Sequence, residues 1–401
     1  MVKDKKNFRL SVFLFALFAL ISIIVLSTMS CSGSKKVAQN EQLSLSKFDK
    51  EALKIQMAKV ADWQIEHFTY STEGSPGYLH DYGIDAWTNG TLFLGMTKWA
   101  EIAGNNIYYD WLKDIGQKNN WKIPANFEGT RHSLYHADEL MVGQFYLYLY
   151  DKYKDPVMLT PTKERVDWII ANPPNPSMDA NNKQSWTWCD ALFMAPPVYA
   201  HIARIENNPR YLQFMDYEFR RTYEKLYDRE HRLFFRDASF FDRRENNGEK
   251  IFWGRGNGWV AGGLVNTMKQ LPKNSEYLPF YQSLFKEFIP ALVALQNERG
   301  YWHASLLDPE SFPAPETSAT ALITYAVAYG INSGLLSKEE YLPGLLKTWN
   351  VLNSFVNEDG KLGYVQPIGA DPRRVTSDMT AVYGVGAYLL AGSEIYKIDF
   401  K

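Results

Sequence analysis

Apolar residues recur at helical spacing along nearly the whole chain, in segments punctuated by Gly, Pro, Asn or Asp. The pattern predicts twelve helices, over 47–67, 86–103, 107–119, 133–153, 156–171, 187–206, 209–228, 256–270, 276–298, 315–333, 338–355 and 377–397. Two kinds alternate. The odd-numbered helices are amphipathic with charged faces, as in Lys338-Glu339-Glu340-Tyr341 onward or Arg210 through Tyr227, and belong outside. The even-numbered ones are poor in charge and rich in small residues, as in Trp259-Val260-Ala261-Gly262-Gly263-Leu264, Ala319-Thr320-Ala321-Leu322 and Ala381 through Ala387. A helix apolar all round is a buried helix, and small residues let helix backbones approach closely. Six outer and six inner helices in alternation describe an all-α fold, the (α/α)6 barrel. The stretch Leu233 to Phe252 is the exception, with a hairpin expected around Asn246-Asn247-Gly248.

Strict alternation makes all six inner helices run the same way, so their N-terminal ends surround one mouth. The residues found there are Asp85 and Trp87, His136 and Asp138, Trp186, Trp188 and Asp190, then Arg255, Asn257 and Trp259, Glu316 and Thr317, and Thr376, Ser377 and Asp378. Aromatic faces, carboxylates and an arginine converging on one concavity suit a sugar acid.

The N-terminus stands apart from this pattern. Lys3, Lys5, Lys6 and Arg9 precede an apolar run from Leu10 to Leu26, the layout of a secretory signal, and small residues flank Cys31. This resembles a bacterial lipoprotein processing site. The expected organisation is a signal over 1–30, a flexible Ser/Lys/Gln/Asn tether over 31–45 carrying a lipid on Cys31, and one catalytic domain over 46–401. The protein is thus expected to be exported, touching a membrane through its lipid alone.

Cys189 is the only other cysteine, which excludes a disulfide framework. A chain with 46% apolar and 15% aromatic residues can bury one large core. The formal net charge is −2, and the signal contributes four bases and one acid, leaving the remainder near −5. No basic block points to nucleic acid. No cofactor or metal is expected: the histidines, His67, His80, His132, His136, His201, His231 and His303, form no His-Glu-x-x-His or Cys/His cluster.

Three strings carry candidate chemistry. Trp186-Thr187-Trp188-Cys189-Asp190 places Asp190 in the first turn of an apolar helix. It reads either as a carboxylate serving the helix dipole or as a general acid and base whose pKa is raised by aromatic neighbours. Cys189 reads as a packed core residue. His136-Ala137-Asp138 brings a second carboxylate to the same barrel end; Asp138 reads as a helix cap or as a partner in acid–base sugar chemistry, and His136 as a structural or a substrate-binding residue. In Trp253-Gly254-Arg255-Gly256-Asn257-Gly258-Trp259, glycines flank Arg255, which either pairs with a substrate carboxylate or bonds helix-terminal carbonyls or an acid. Trp259 reads as a stacking platform. The string lacks the spacing of glycine-rich phosphate loops.

Trp186 to Pro197, Trp253 to Trp259 and Pro315-Glu316-Thr317-Ser318-Ala319-Thr320-Ala321, in this order, resemble glycoside hydrolase family 105, the unsaturated rhamnogalacturonyl hydrolases, and the neighbouring family 88 of unsaturated glucuronyl hydrolases. The resemblance runs from about residue 48 to the C-terminus and includes Tyr383-Gly384-Val385-Gly386-Ala387. It implies Asp190 as the catalytic aspartate, Asp138 as the second active-site aspartate, Arg255 as a substrate-binding arginine, and Trp188 and Trp259 as aromatic walls. It also implies the substrate, an oligosaccharide ending in a 4,5-unsaturated uronic acid such as unsaturated galacturonyl-rhamnose. Where the family carries a histidine after the seventh helix, this chain has Phe235-Arg236-Asp237, so Arg236 is expected to take over a contact with the uronate or its neighbour.

Overall fold

The structure, a computed structural model, describes residues 48–68, 83–124 and 134–400. The expected signal (1–30), Cys31, the tether (31–45), His80 and His132 lie outside the described residues. Helices follow one another as α1 (Lys50–Glu66), α2 (Trp87–Ala103), α3 (Ile107–Lys118), α4 (Met141–Tyr153), α5 (Thr160–Ala171), α6 (Ala191–Met194) and α7 (Pro196–Glu206). Then come α8 (Arg210–Leu226), α9 (Gly254–Gln270), α10 (Leu278–Val293), α11 (Thr317–Ser333), α12 (Lys338–Ser354) and α13 (Val382–Tyr396). Residues Lys50–Ile398 form one compact unit.

The two helix classes separate as their composition demands. On α8 only the stripe Tyr211, Leu212, Met215, Phe219, Thr222 and Leu226, with the acids Asp216 and Glu218 at its edge, is buried. On α9 nearly every residue is buried, from Gly254 through Met268. The inner helices α2, α4, α7, α9, α11 and α13 each pack on the next, and α13 closes the ring on α2. That closure is intimate: a Cβ on Gly95 would stand 2.3 Å from the carbonyl oxygen of Gly386, and one on Gly386 2.2 Å from that of Thr91. Only glycine fits at either position.

Local signals fix the helix ends. Ser337 accepts a bond from the Glu340 amide at the start of α12, whose first turn carries Glu339 and Glu340. Gly104 and Gly334 end α2 and α11 in the left-handed conformation, at φ 82° and 70°. Among the described residues no helix is long and apolar enough to cross a membrane.

Several expected boundaries move: the α-helix expected over 133–153 begins at Met141 after the 3-10 turn Ala137–Leu140, and the one expected over 276–298 ends at Val293. The helix expected over 187–206 is broken into α6 and α7, because Pro196 and Pro197 open α7 and cannot continue the bonding of α6. The helix expected over 377–397 begins only at Val382. The expected hairpin at Asn246-Asn247-Gly248 is reduced to a turn with one bridge, Arg244 to Lys250, with Gly248 at φ +88°. The paired strands lie upstream, β1 (Tyr227–Asp228) against β2 (Leu233–Phe234).

Contacts at both ends of the ring show that the inner helices are parallel. At their N-terminal end Trp87 of α2 stacks on Tyr383 of α13, ring centres 5.4 Å apart, and meets Trp259 of α9 edge-on at 6.0 Å. At their C-terminal end Lys269 of α9 donates to Glu394 of α13 (2.5 Å), Asn332 of α11 to the same carboxylate (3.0 Å), Gln270 of α9 to Tyr148 of α4 (2.8 Å), and Arg204 of α7 to Gln270 (3.0 Å). Lys98 of α2 lies 3.4 Å from the centre of the Tyr148 ring. Cations thus gather where six helix dipoles end negative.

Candidate active site

Asp190 reaches the mouth through a piece of backbone pairing far from its own helix. Cys189 N donates to Arg236 O (2.8 Å) and Trp188 bridges Asp237, so the segment before α6 is pinned to the segment after β2. Asp190 then stands at the N-cap of the single turn α6, where its side chain makes no capping bond. The helix-dipole reading therefore lacks its expected hydrogen bond. Arg236 Nε lies 3.9 Å from Asp190 Oδ2, and Nη1 of the same guanidinium is paired with Asp237. Cys189 is fully buried, its thiol pushed well up by burial, as expected of a packed core residue.

The carboxyl of Asp190 is pushed above the ordinary aspartate range. Burial is the main cause and the charge of Asp138 adds to it, against Arg236 and Arg255. Asp138 sits within a 3-10 turn, Ala137–Leu140, that leads into α4. Its Oδ2 lies 3.8 Å from His136 Nδ1, and its buried Oδ1 has no hydrogen-bond partner among the described residues. A buried carboxylate oxygen without a donor is costly unless a ligand supplies one. The His136 ring packs on Trp188, centres 4.7 Å apart. Asp138, His136, Trp188, Asp190 and Arg236 thus come together at one place.

Arg255 and Trp259 do not present themselves as expected. Arg255 is 1% exposed; Nη1 donates to Gln366 O (2.6 Å) and Nη2 to Pro367 O (2.9 Å), while the guanidinium lies over the Trp253 ring. The reading of Arg255 as kept open for a substrate carboxylate is corrected, since both terminal nitrogens hold the 366–367 backbone. Its charge still reaches Asp190 through space. The glycine before it serves packing, for a Cβ on Gly254 would stand 2.4 Å from His303 O. Trp259 is 1% exposed and wedged among Trp87, Phe193 and Tyr383, so it forms the floor beneath the site and not an open stacking face. Trp87, half-buried above it, is the more open ring.

Glu316 and Asn257 at the mouth serve structure. Glu316 is buried and caps α11 through the Ser318 and Ala319 amides while accepting from Gln366 N (2.9 Å). Asn257 clips both backbone groups of Phe234. Asp378 lies exposed beside Thr376 at the rim. Asp228, Glu230 and His231 form a group with metal-like spacing, but Lys250 Nζ bonds both acids, at 2.7 and 2.9 Å.

Sequence reasoning missed Lys183. It stands in the polar segment before Trp186, half-buried, with Nζ 5.0 Å from the centre of the Trp188 ring. Its ammonium is held below the ordinary lysine range by burial and then by Arg236, against the attraction of Asp237, Asp138 and Asp190. A run of Asn, Lys, Gln and Ser reads as a turn; the only signal was a cation three residues before an aromatic string.

Comparison with known proteins gives this geometry its context. The sequence profile of Glycosyl Hydrolase Family 88 matches residues 56–399. An unsaturated 3S-rhamnoglycuronyl hydrolase from Formosa agariphila is 35% identical over 86% of this chain and 91% of its own length. One of the same name from Alteromonas sp. (strain LOR) is 31% identical over 94% and 97%. The solved structure of a glycosyl hydrolase family 88 protein from Bacteroides vulgatus, 30% identical, superimposes with a TM-score of 0.77 over 87% of this chain and 99% of that one. The motifs resembled two neighbouring families, and the profile of one of them runs through every inner helix: the chain belongs to Glycosyl Hydrolase Family 88 and is a glycosidase.

Proposed function

We propose that the protein removes a terminal 4,5-unsaturated uronic acid from rhamnose-containing oligosaccharides left by polysaccharide lyases, with Asp190 as both acid and base. The observation that carries this is the carboxyl of Asp190, uncapped, desolvated and raised, beside a second carboxylate and a cation. Protonated Asp190 delivers its proton to C4 of the C4=C5 double bond, and positive charge develops at C5 and the ring oxygen. The carboxylate then takes a proton from water as its oxygen adds to C5. The resulting hemiketal opens to a ketone at C5, and the hemiacetal left at C1 collapses to an aldehyde and expels the remaining saccharide. One water is consumed and Asp190 ends protonated, ready for another turnover. Asp138, with a buried oxygen awaiting a donor, holds a sugar hydroxyl; Trp188 and His136 line the ring's seat and Arg236 faces the uronate.

The names of the relatives from Formosa and Alteromonas favour a uronide linked to rhamnose over a glycosaminoglycan fragment. The test is the loss of ultraviolet absorbance from the conjugated double bond, run side by side on unsaturated glucuronyl-rhamnose, galacturonyl-rhamnose and chondroitin disaccharides. A rhamnose-linked disaccharide is expected to be turned over fastest. A chondroitin preference would overturn the rhamnose-linked reading, and binding without absorbance loss would overturn the chemistry. Export and lipidation at Cys31 are proposed from the sequence of residues 1–31. Metabolic labelling with a fatty acid checks this: wild type incorporates label and Cys31→Ala does not.

A further inference from the structure

We infer that Lys183 is a specificity-determining residue, a preset ammonium that reads the carboxylate of the unsaturated uronide; this rests on the substrate class proposed above. Arg236 alone is a poor candidate for the whole task, because Asp237 already pairs with it and Asp190 lies 3.9 Å away. Lys183 differs. It forms no ion pair among the described residues, and its one hydrogen bond runs from Nζ to the carbonyl of Ala180 (3.0 Å). An ammonium has three donors, and among the described residues only one is used on a protein oxygen here, which leaves two for a ligand. Its position over the Trp188 ring places it on the wall that the sugar is proposed to lie against.

The segment that carries Lys183 is built to hold it still. Asn182 Nδ2 donates to Asn175 O (2.9 Å) and Ser177 O (2.6 Å), its Oδ1 accepts from the Gln184 amide (3.1 Å), and its carbonyl accepts from Thr187 Oγ1 (2.8 Å). Asn175 O also accepts from Ser185 Oγ (2.8 Å). Both neighbours of Lys183 are therefore tied down, so the backbone that carries the lysine is fixed before a ligand arrives, which lowers the ordering cost of binding. The charge balance agrees: among the described residues the permanent cations acting on Asp138, Asp190 and Asp237 are Lys183 and Arg236, with Arg255 bound below. When Asp190 carries its proton, that balance leaves room for one more negative group, and the uronate supplies it.

The test compares wild type, Lys183→Met and Lys183→Arg on an unsaturated uronyl disaccharide as the free acid and as its methyl ester, followed by absorbance loss. Lys183→Met is expected to raise KM for the acid roughly 10- to 100-fold, the effect of losing one hydrogen bond to a charged group. Its kcat should change little and its KM for the ester hardly at all, while Lys183→Arg keeps most of the preference for the acid. Equal changes on acid and ester, a change confined to kcat, or no change would each overturn the assignment while wild-type turnover still upheld the substrate class. Absence of wild-type turnover on every unsaturated uronide would remove the substrate class and the assignment together.

Discussion

Asp190 must hold a proton at the start of a turnover and lack one halfway through, so its neighbours matter as much as its own carboxyl. Asp190→Asn keeps the shape and removes both functions; kcat is expected to fall by ~10²-fold or more with the melting temperature nearly unchanged. The two flanking charges predict opposite pH effects. Because the protonated form begins the reaction, the rate falls as pH rises through the raised pKa of Asp190. Asp138→Asn removes a like charge, lowers that pKa and moves the alkaline limb of kcat to lower pH. Arg236→Gln removes an opposing charge and moves the limb upward. Profiles of kcat against pH for the two variants check this, and a shift of both in the same direction would rule out the assigned electrostatics. Residue types at the helix starts placed Asp190 and Asp138 at one mouth but left a capping role open for each, and it was the family resemblance that singled them out. Arg255 was not legible in the same way, because its partners, Gln366 and Pro367, lie more than a hundred positions later and nothing in a glycine-flanked arginine announces them.

Each inner helix has two unlike ends, and the far one has its own chemistry. His201 of α7 is buried against Asp151 of α4, Nε2 to Oδ2 2.7 Å, and burial pushes its pKa down to about 4 despite that carboxylate. In the unfolded chain the same ring titrates near its ordinary 6.5. Between these values the unfolded chain binds a proton that the native one refuses, so stability present above pH 6.5 is lost as pH falls toward 4. Thermal unfolding across this window is expected to show a falling melting temperature, and His201→Gln, which retains a donor toward Asp151, should flatten it. An unchanged slope in the variant would assign the acid sensitivity elsewhere. The contrast of charged and small-residue helices made the alternation legible, since an inner helix is buried on every face and meets its neighbours through small residues such as Gly95 and Gly386. The breaks were harder to see: α6 and α7 share one apolar periodicity, and only the prolines at 196 and 197 mark the join.

At the level of the whole molecule the stabilising surface is a closed ring, so damage to one seam is felt by all six inner helices. Gly386→Ala drives a methyl group into the Thr91 carbonyl, and overpacking of this kind costs ~1–3 kcal/mol or more, read as a lower melting temperature. The closing stave, α13, spans Val382–Tyr396 of a 401-residue chain, and its partner α2 begins at Trp87. On the ribosome the first inner helix therefore emerges some three hundred residues ahead of the one that covers it. Until α13 arrives, the apolar faces of α2 and α11 that it covers have no mate, so the ring cannot close before some three hundred residues have followed α2. Contacts this distant in sequence also make for slow closure. A chain stopped after Thr380 is expected to be collected in the insoluble fraction, whereas one lacking only residues after Ile398 stays soluble and active; a soluble, active product ending at 380 would mean that the first five inner helices can close without the sixth.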